Sequence, residues 1–452
     1  MKIVIVGAGE IGSHLAKMLS HEANDITVID SDSDRLTHLA TLADVATVHG
    51  DPSSIRVLKE AGVPQTDLFI SVMPFVPQDV NLICALLAKN LGAKKVTARV
   101  DDEEYLLSDN KLIFKQMGIE LLFYPEKLSS DEIVDQLKHT ATTESMDFGR
   151  GKLQIAVFKL EEDSPLIDMR LSEFAASASS ETVQFRVIAV SHNNQTIIPK
   201  FDYKFRYHDL VFIISHREGI QALMKFLGKS NIEIGRVMIL GGTPIGEMVA
   251  RQLSKQIDDI KIIEADRDRC LELSERLDDK VIIVNGDGRN SDMLLEEGIK
   301  DYDAFLALTK NDEANVLACV VAKKFGVSRT IADVENIEYI SLAEEMGVDA
   351  VINRKLITAG RIFKFTLSGK ARMVRYMSGT EAEVLEYTAA PGSAITKAPL
   401  REISFPKDAV IGGVIRGTEG LIAVGDTQIE AYDHVAVFAL PSAVKEVDKL
   451  FR

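Results

Sequence analysis

The sequence predicts an α/β chain of two doubly wound Rossmann domains, each followed by a small α+β module. Three features carry that prediction. The chain contains itself twice, each copy alternates short apolar runs with amphipathic stretches, and in each copy a glycine-bearing loop follows the first run while an acidic residue ends the second. At 452 residues the chain is long enough for several cores, because single cores stop growing at about 250–300 residues.

The duplication is legible residue by residue. At a shift of 234 residues Gly7 falls on Gly241, Ile11 on Ile245, Gly12 on Gly246, Asp30 on Glu264 and Arg35 on Arg269. After a two-residue slip, Gly50-Asp51 falls on Gly286-Asp287, Gly62 on Gly298, Asp67 on Asp303 and Phe69 on Phe305. The slip then reverses, so that Asn81 meets Asn315, Gly92 meets Gly326 and Tyr105 meets Tyr339. Slip and reversal both fall at predicted loops, where insertions are tolerated.

In the first copy the apolar runs are residues 2–6, 26–30, 46–48, 68–72, 96–100 and 121–124, rich in Val, Ile and Phe and bounded by Gly, Asp or Pro. Amphipathic stretches such as 11–19 and 80–90 lie between them. Continuous apolar strands alternating with helices imply βαβ units and a parallel sheet covered on both faces. Six such strands fit a doubly wound sheet, and residues 237–352 repeat the pattern. The segments after each copy carry shorter, alternating strands at 154–158, 187–190, 210–214, 410–415 and 435–438. These also correspond: His208-Asp209 precedes one strand as Tyr432-Asp433 precedes another. The expected order is a Rossmann domain at 1–125, a helical connector at 126–151 and a small module at 152–230. A second Rossmann domain at 235–354, a connector at 355–381 and a second module at 382–452 follow.

Composition narrows the class. The chain is 46% hydrophobic and 27% charged, with a net charge of −16. That charge argues against nucleic acid as a partner, since phosphate binding rests on clustered Lys and Arg, and against direct adhesion to anionic lipid. No run approaches the ~18 apolar residues of a membrane span, and Glu10 interrupts the N-terminal apolar run too early for a signal peptide. A cytoplasmic protein is expected, meeting any membrane through another protein. Cys84, Cys270 and Cys319 form no CxxC and read as reduced core thiols. The nine histidines show no metal spacing, so no structural zinc is expected.

The first loop reads Gly7-Ala8-Gly9-Glu10-Ile11-Gly12. It follows a predicted strand and opens a predicted helix, the context that a GxGxxG pattern needs. Gly7 permits the tight turn, Gly9 lets backbone approach a pyrophosphate, and Gly12 lets helix and strand pack closely. The helix N-terminus offers N–H groups and a partial positive charge to the phosphates. Asp30 would accept the adenosine ribose hydroxyls and repel a 2′-phosphate, which favours NAD(H) over NADP(H). Strand ends should line the same crevice: Gly50-Asp51 after the third strand, Met73-Pro74 after the fourth, Arg99 in the fifth. Arg99 can pair with phosphate or with a neighbouring carboxylate. Arg35 can reach a phosphate or form a surface salt bridge.

The second loop reads Gly241-Gly242-Thr243-Pro244-Ile245-Gly246. Thr243 replaces the middle glycine and Pro244 removes one N–H, so a dinucleotide fits less well. Glu264 keeps the ribose acceptor, Arg269 is the counterpart of Arg35, and Gly286-Asp287 and Thr309-Lys310 keep the strand-end positions, while Asp333 replaces the counterpart of Arg99. The expectation is a second adenine-nucleotide site, weaker or of different preference, with a purely structural copy as the alternative. Gly228-Lys229-Ser230 resembles the end of a P-loop, but position 223, where the first glycine belongs, is Leu223.

Together these residues resemble the potassium-transport nucleotide-binding family, the RCK or KTN domains, in duplicated form. The first half carries the glycine loop, Asp30, Gly50-Asp51, Arg99 within strand 96–100, and Tyr105. The second carries Glu264, Gly286-Asp287 and the stretch 307–315, Ala-Leu-Thr-Lys-Asn-Asp-Glu-Ala-Asn. The small modules resemble the family's C-terminal ligand-sensing domain, as in Ile411-Gly412-Gly413-Val414-Ile415-Arg416-Gly417. The family's Thr after the fourth strand is Met73 here, followed by a two-proline loop at 74–77. The resemblance implies a non-catalytic cytosolic subunit, peripheral on the inner face of the membrane. Such subunits form dimeric or tetrameric rings beneath a TrkH-type potassium channel or transporter, and NAD(H) or ATP/ADP binding gates the flux. The apolar last helices of the Rossmann copies are the expected dimer surfaces.

Three other readings compete. A dehydrogenase would need an acid–base residue beside the nicotinamide, and the small modules offer only isolated His192, His208 and His434. A regulator of another cation transporter or antiporter shares most of these features. A redox-sensing transcription factor would need a helix-turn-helix or a basic patch, which the sequence lacks.

Overall fold

The computed structural model describes the 452 residues except 21–23, 74–77, 139–143, 150, 161–163, 179–183, 193–194, 229–233, 367–370 and 377–381. It divides into two compact units, residues 1–131 with 353–366 and residues 132–352 with 367–452.

The chain opens with β1 Lys2–Val6, α1 Glu10–Ser20, β2 Asp25–Asp30, α2 Ser33–Leu42, β3 Ala46–His49, α3 Ile55–Glu60, β4 Leu68–Ser71, α4 Gln78–Leu91, β5 Lys95–Arg99, α5 Ser108–Gln116, β6 Leu121–Phe123 and α6 Pro125–Lys138. A small module follows: β7 Glu144–Phe148, β8 Leu153–Lys159, α7 Leu171–Ala178, β9 Phe185–His192, β10 Gln195–Ile197, β11 Leu210–Ser215 and α8 Arg217–Phe226. The second Rossmann copy runs β12 Arg236–Leu240, α9 Pro244–Leu253, β13 Asp259–Glu264, α10 Arg267–Arg276, β14 Val281–Asn285, α11 Ser291–Glu296, β15 Ala304–Ala307, α12 Asp312–Lys324, β16 Arg329–Asp333, α13 Glu338–Glu345 and β17 Ala350–Ile352. Then come α14 Arg354–Thr366 and the second module, β18 Ala371–Tyr376, β19 Glu383–Thr388, β20 Ala409–Arg416, β21 Glu419–Ile422, β22 His434–Ala439 and α15 Val444–Leu450.

Both Rossmann sheets have the same parallel order, β3-β2-β1-β4-β5-β6 and β14-β13-β12-β15-β16-β17. The order reverses between β1 and β4, and between β12 and β15, which opens a crevice at the carboxyl ends of those strands. The central strands are buried because their residues are apolar on both sides: β4 and β15 are buried throughout. Phe69 and Phe305 sit at equivalent places in them with no exposed surface, each contributing about 1.5–3 kcal/mol from burial.

The small modules are antiparallel five-stranded sheets of identical topology, β10-β9-β11-β8-β7 and β21-β20-β22-β19-β18. They share one apolar core within the second unit, where Phe148, Leu153, Phe212 and Ile214 join Val384, Ile415 and Phe438. The Phe212 and Phe438 rings lie 5.6 Å apart. The corresponding dipeptides behave alike. His208 and Tyr432 both have φ near +70°, at 67° and 72°, and the buried carboxylates after them are fully engaged. Asp209 accepts from His192 at 2.7 Å and Tyr203 at 2.8 Å, and Asp433 accepts from Arg416 at 2.7 Å.

The helix α14 packs within the first unit against α1, with Ala359 and Ile362 buried. Lys355 approaches Glu10 at 3.2 Å, and Lys95 donates to the Phe365 carbonyl at 3.2 Å. Thus the helix that stands where the second connector was expected covers the first Rossmann copy of its own chain. Gly228, with φ 70°, follows α8 as a helix C-terminal residue. Lys229 and Ser230 lie outside the described residues. All three cysteines are free and buried. Among the described residues no helix is long and apolar enough to cross a membrane, and no cluster of His, Cys, Asp and Glu is arranged to hold a metal.

Candidate functional site

In the first copy the chain leaves β1 at Gly7, whose φ of 104° favours glycine. The Gly7 N–H donates to the Ile29 carbonyl at 2.8 Å, tying the loop to β2. A Cβ on Gly12 would lie 1.8 Å from the Gly7 oxygen, so α1 can start this close to β1 only with glycine there. Gly9 immediately precedes α1 and has no side chain with which to cap it. The helix end therefore keeps its positive character for an external anion. Ala8 and Gly12 are buried, Ile11 half-buried and Glu10 exposed.

Asp30 stands beside this loop, 6% exposed. One carboxylate oxygen accepts from the Ala8 N–H at 2.6 Å and the other from the Asp32 N–H at 2.9 Å. Its first role is therefore to brace the glycine loop. Each oxygen keeps a further lone pair for a ribose hydroxyl.

The remaining expected residues divide. Gly50 donates to the Asp30 carbonyl at 3.0 Å, which brings the third strand end to the crevice. The side-chain and backbone hydrogen bonds of Ser53 hold the Asp51 carboxyl below its usual range. Met73 is buried, and a Cβ on Gly7 would lie 3.0 Å from its backbone. Pro74 lies outside the described residues. Arg35 makes a half-exposed salt bridge to Asp32 at 3.3 Å. Arg99 settles on carboxylates, Asp101 at 2.8 Å and Glu126 at 3.4 Å, and Arg354 approaches the same Glu126 oxygen at 3.4 Å.

The second copy repeats the frame. Gly241 has φ 105° and donates to the Ile263 carbonyl at 2.9 Å. A Cβ on Gly246 would meet the Gly241 oxygen at 2.2 Å. Glu264 braces Gly242 and Asp266 at 2.6 and 2.8 Å, as Asp30 braces its own loop. Gly286 donates to the Glu264 carbonyl at 2.8 Å, and the hydrogen bonds of Arg289 pull the Asp287 carboxyl down.

The copies differ where a phosphate is expected. Thr243 caps α9 through its own hydroxyl, which accepts from the Gly246 N–H at 3.3 Å and donates to the Leu308 carbonyl at 2.8 Å. Pro244 is the first helical residue, and Ile245 is buried. Arg269 donates to the Gly242 carbonyl at 2.7 Å and to Glu247 at 2.7 Å. Burial opposes its charge, but Glu272 and Glu247 hold the guanidinium above its ordinary value. Thr309 is partly exposed, Lys310 exposed and Asp333 buried.

Several residues that shape these sites were matched in the duplication, or passed over, without a role. Asn81 accepts from Ser71 at 2.8 Å and the Met73 N–H at 3.0 Å, and Asn315 accepts from Thr309 Oγ1 at 2.6 Å and its N–H at 3.0 Å. The Thr hydroxyl absent at Met73 is thus supplied two residues earlier by Ser71. Gln78 and Asp312 play one part at equivalent helix starts, accepting from backbone after the fifth strand at 2.9 Å and 2.8 Å. The sequence alone assigns Glu247 no role. Its signal was the change from Ser13 to an acid in the first turn of the helix.

Comparison with known proteins agrees with this geometry. The model of the TrkA-N domain matches residues 3–125 and 237–354, and that of the TrkA-C domain matches 155–228 and 384–452. The chain is 33% identical to the Trk system potassium uptake protein TrkA of Halomonas elongata, across 100% of this chain and 99% of that protein. It is 34% identical to a TrkA homolog of Archaeoglobus fulgidus, across 100% of both chains. Its fold is similar to that of the GsuK channel bound to NAD, at TM-score 0.61 and 17% identity, covering 100% of this chain and 78% of that one.

Proposed function

Because this chain belongs to the TrkA family of Trk-system potassium-uptake proteins, regulatory rather than catalytic, we propose that it is the subunit through which NAD(H) controls potassium flux in a TrkH-type membrane partner. The observation that carries the reading is the first glycine loop: an α1 N-terminus that its preceding residue cannot cap, next to the Asp30 carboxylate. Pyrophosphate would meet the helix end and the adenosine ribose would meet Asp30. ATP and ADP share the adenosine half and would compete for it. The subunit would work as a homo-oligomeric ring, dimer or tetramer, on the inner face of the membrane, held there by its partner. The solved GsuK channel bound to NAD supports this choice of ligand by likeness of fold.

The structure suggests how binding would be transmitted. α14 packs on α1, the helix whose first turn would hold the phosphates, and α14 continues in sequence toward β18. A nucleotide that draws α1 toward the strand ends would move α14 with it. It gates only to the extent that it binds two conformations unequally, about 1.4 kcal/mol for each tenfold preference.

The test is rubidium flux into vesicles carrying a TrkH-type partner and this chain, with NADH, NAD⁺, ATP or ADP. NAD(H) should change the flux with wild type and fail to do so with Asp30→Asn. Flux indifferent to every nucleotide would overturn the proposal.

A further inference from the structure

Glu247 occupies the first turn of α9 at the position that Ser13 holds in α1. Ser13 is small and turns inward, its hydroxyl donating to the Ala8 carbonyl at 2.9 Å. Glu247 instead carries a charge whose side chain is only 9% exposed. Three arginines surround it. Arg269 reaches one oxygen at 2.7 Å, Arg276 lies 3.8 Å from the same oxygen, and Arg251 binds the other. Arg269 at the same time holds the Gly242 carbonyl, so this ionic cluster is anchored on the glycine loop itself.

The guanidinium partners of Glu247 are groups that a phosphate would also draw. The carboxylate is borne by the first turn of the helix that a glycine-bearing loop opens, and its charge is met by guanidinium groups whose planar donors suit carboxylate and phosphate equally. The first copy shows the contrast: Arg35, the counterpart of Arg269, lies half-exposed on Asp32, away from its loop. Thr243 completes the closure, since its hydroxyl takes the Gly246 N–H. A pyrophosphate entering the second copy would have to displace Glu247 from Arg269 and then leave that carboxylate buried beside its own negative charge.

We propose that Glu247 is a resident anion that shuts the second copy to the pyrophosphate of NAD(H) and of ADP, so that it, rather than the ribose acceptor Glu264, makes the two copies differ in specificity. This rests on the reading of the first loop as an NAD(H) site.

The experiment is to count NADH and ADP sites per chain by calorimetry in wild type and in Glu247→Ser, which restores the residue of the first copy. Glu247→Gln, which keeps the side-chain size and one acceptor oxygen, for either Arg251 or Arg269, while removing the charge, guards against loss of folding, and thermal melts accompany each. Wild type should show one NADH site. Each variant should gain a second, or tighten a weak one by about tenfold or more, the worth of one charge-assisted hydrogen bond. If both variants stay folded, keep the first site and gain nothing at the second, the role given to Glu247 is wrong and the first-site reading stands. If wild type binds no NADH at all, the first-site reading fails and takes this inference with it.

Discussion

The two Rossmann copies have one backbone and two electrostatic characters. Positive-φ glycines at 7 and 241, close-packed glycines at 12 and 246, and carboxylates at 30 and 264 bracing the loop recur within a few tenths of an ångström. At three positions the copies part. Gly9 faces Thr243, Ser13 faces Glu247, and an arginine lying on Asp32 faces one locked onto the loop. The difference teaches which residues serve which purpose. Turn and packing depend on the first set, so both copies keep it. On the proposed reading, reception of an anion would depend on the second set, which the fold leaves open to change.

The largest expected effect comes from breaking the shared frame in one copy at a time. Gly12→Val should cost NADH affinity more than about hundredfold and lower stability by roughly 1–3 kcal/mol, because its Cβ has no room beside the Gly7 oxygen. Gly246→Val should destabilise similarly but leave NADH binding nearly unchanged. Calorimetry with thermal melts distinguishes the two, and equal losses of binding would erase the comparison.

Next comes an ionic bracket in the first unit. Glu126 takes Arg99 and Arg354 together, while Asp333 stands at the counterpart of Arg99. Glu126→Ala leaves Arg99 with Asp101 and takes one carboxylate from Arg354, and should lower the chemical-denaturation midpoint by the equivalent of roughly 1–2 kcal/mol.

A smaller effect should appear with pH. Burial, helped by Lys355 and Lys17, lowers the His14 pKa to about 4, against about 6.5 in an unfolded chain. The folded state thus prefers the neutral ring. Its contribution is fully present above about pH 6.5 and is lost as pH falls from there through 4. Stability should drop by about 1–2 kcal/mol across that window, and less in His14→Met, the residue that the second copy carries as Met248. Melting curves at several pH values check this. An identical pH dependence in the variant would show that His14 does not carry the effect.

Much of this was legible in the sequence, for stated physical reasons. Strands such as β1 and β4 are buried on both faces, so they appear as unbroken apolar runs. The glycine loops are legible because glycine is dictated by geometry. What escaped depends on which of several polar neighbours a side chain chooses. Arg99 faced phosphate and carboxylate alike in sequence, and only folding brought Glu126, 27 residues on, to within 3.4 Å. The bracing work of Asp30 was hidden behind its expected work on a ribose. The packing of α14 on α1 joins segments more than 300 residues apart, and no local pattern announces such a crossover.

The central claim is that only the first copy receives the dinucleotide. Its most direct test is a calorimetric titration of the intact chain with NADH in wild type, Asp30→Asn and Glu264→Gln. Asparagine and glutamine are chosen because each retains an oxygen for the loop N–H that the carboxylate braces. The account predicts one site per chain, weakened at least about tenfold by Asp30→Asn and untouched by Glu264→Gln. Two equivalent sites, or a site lost with Glu264→Gln and kept with Asp30→Asn, would contradict it.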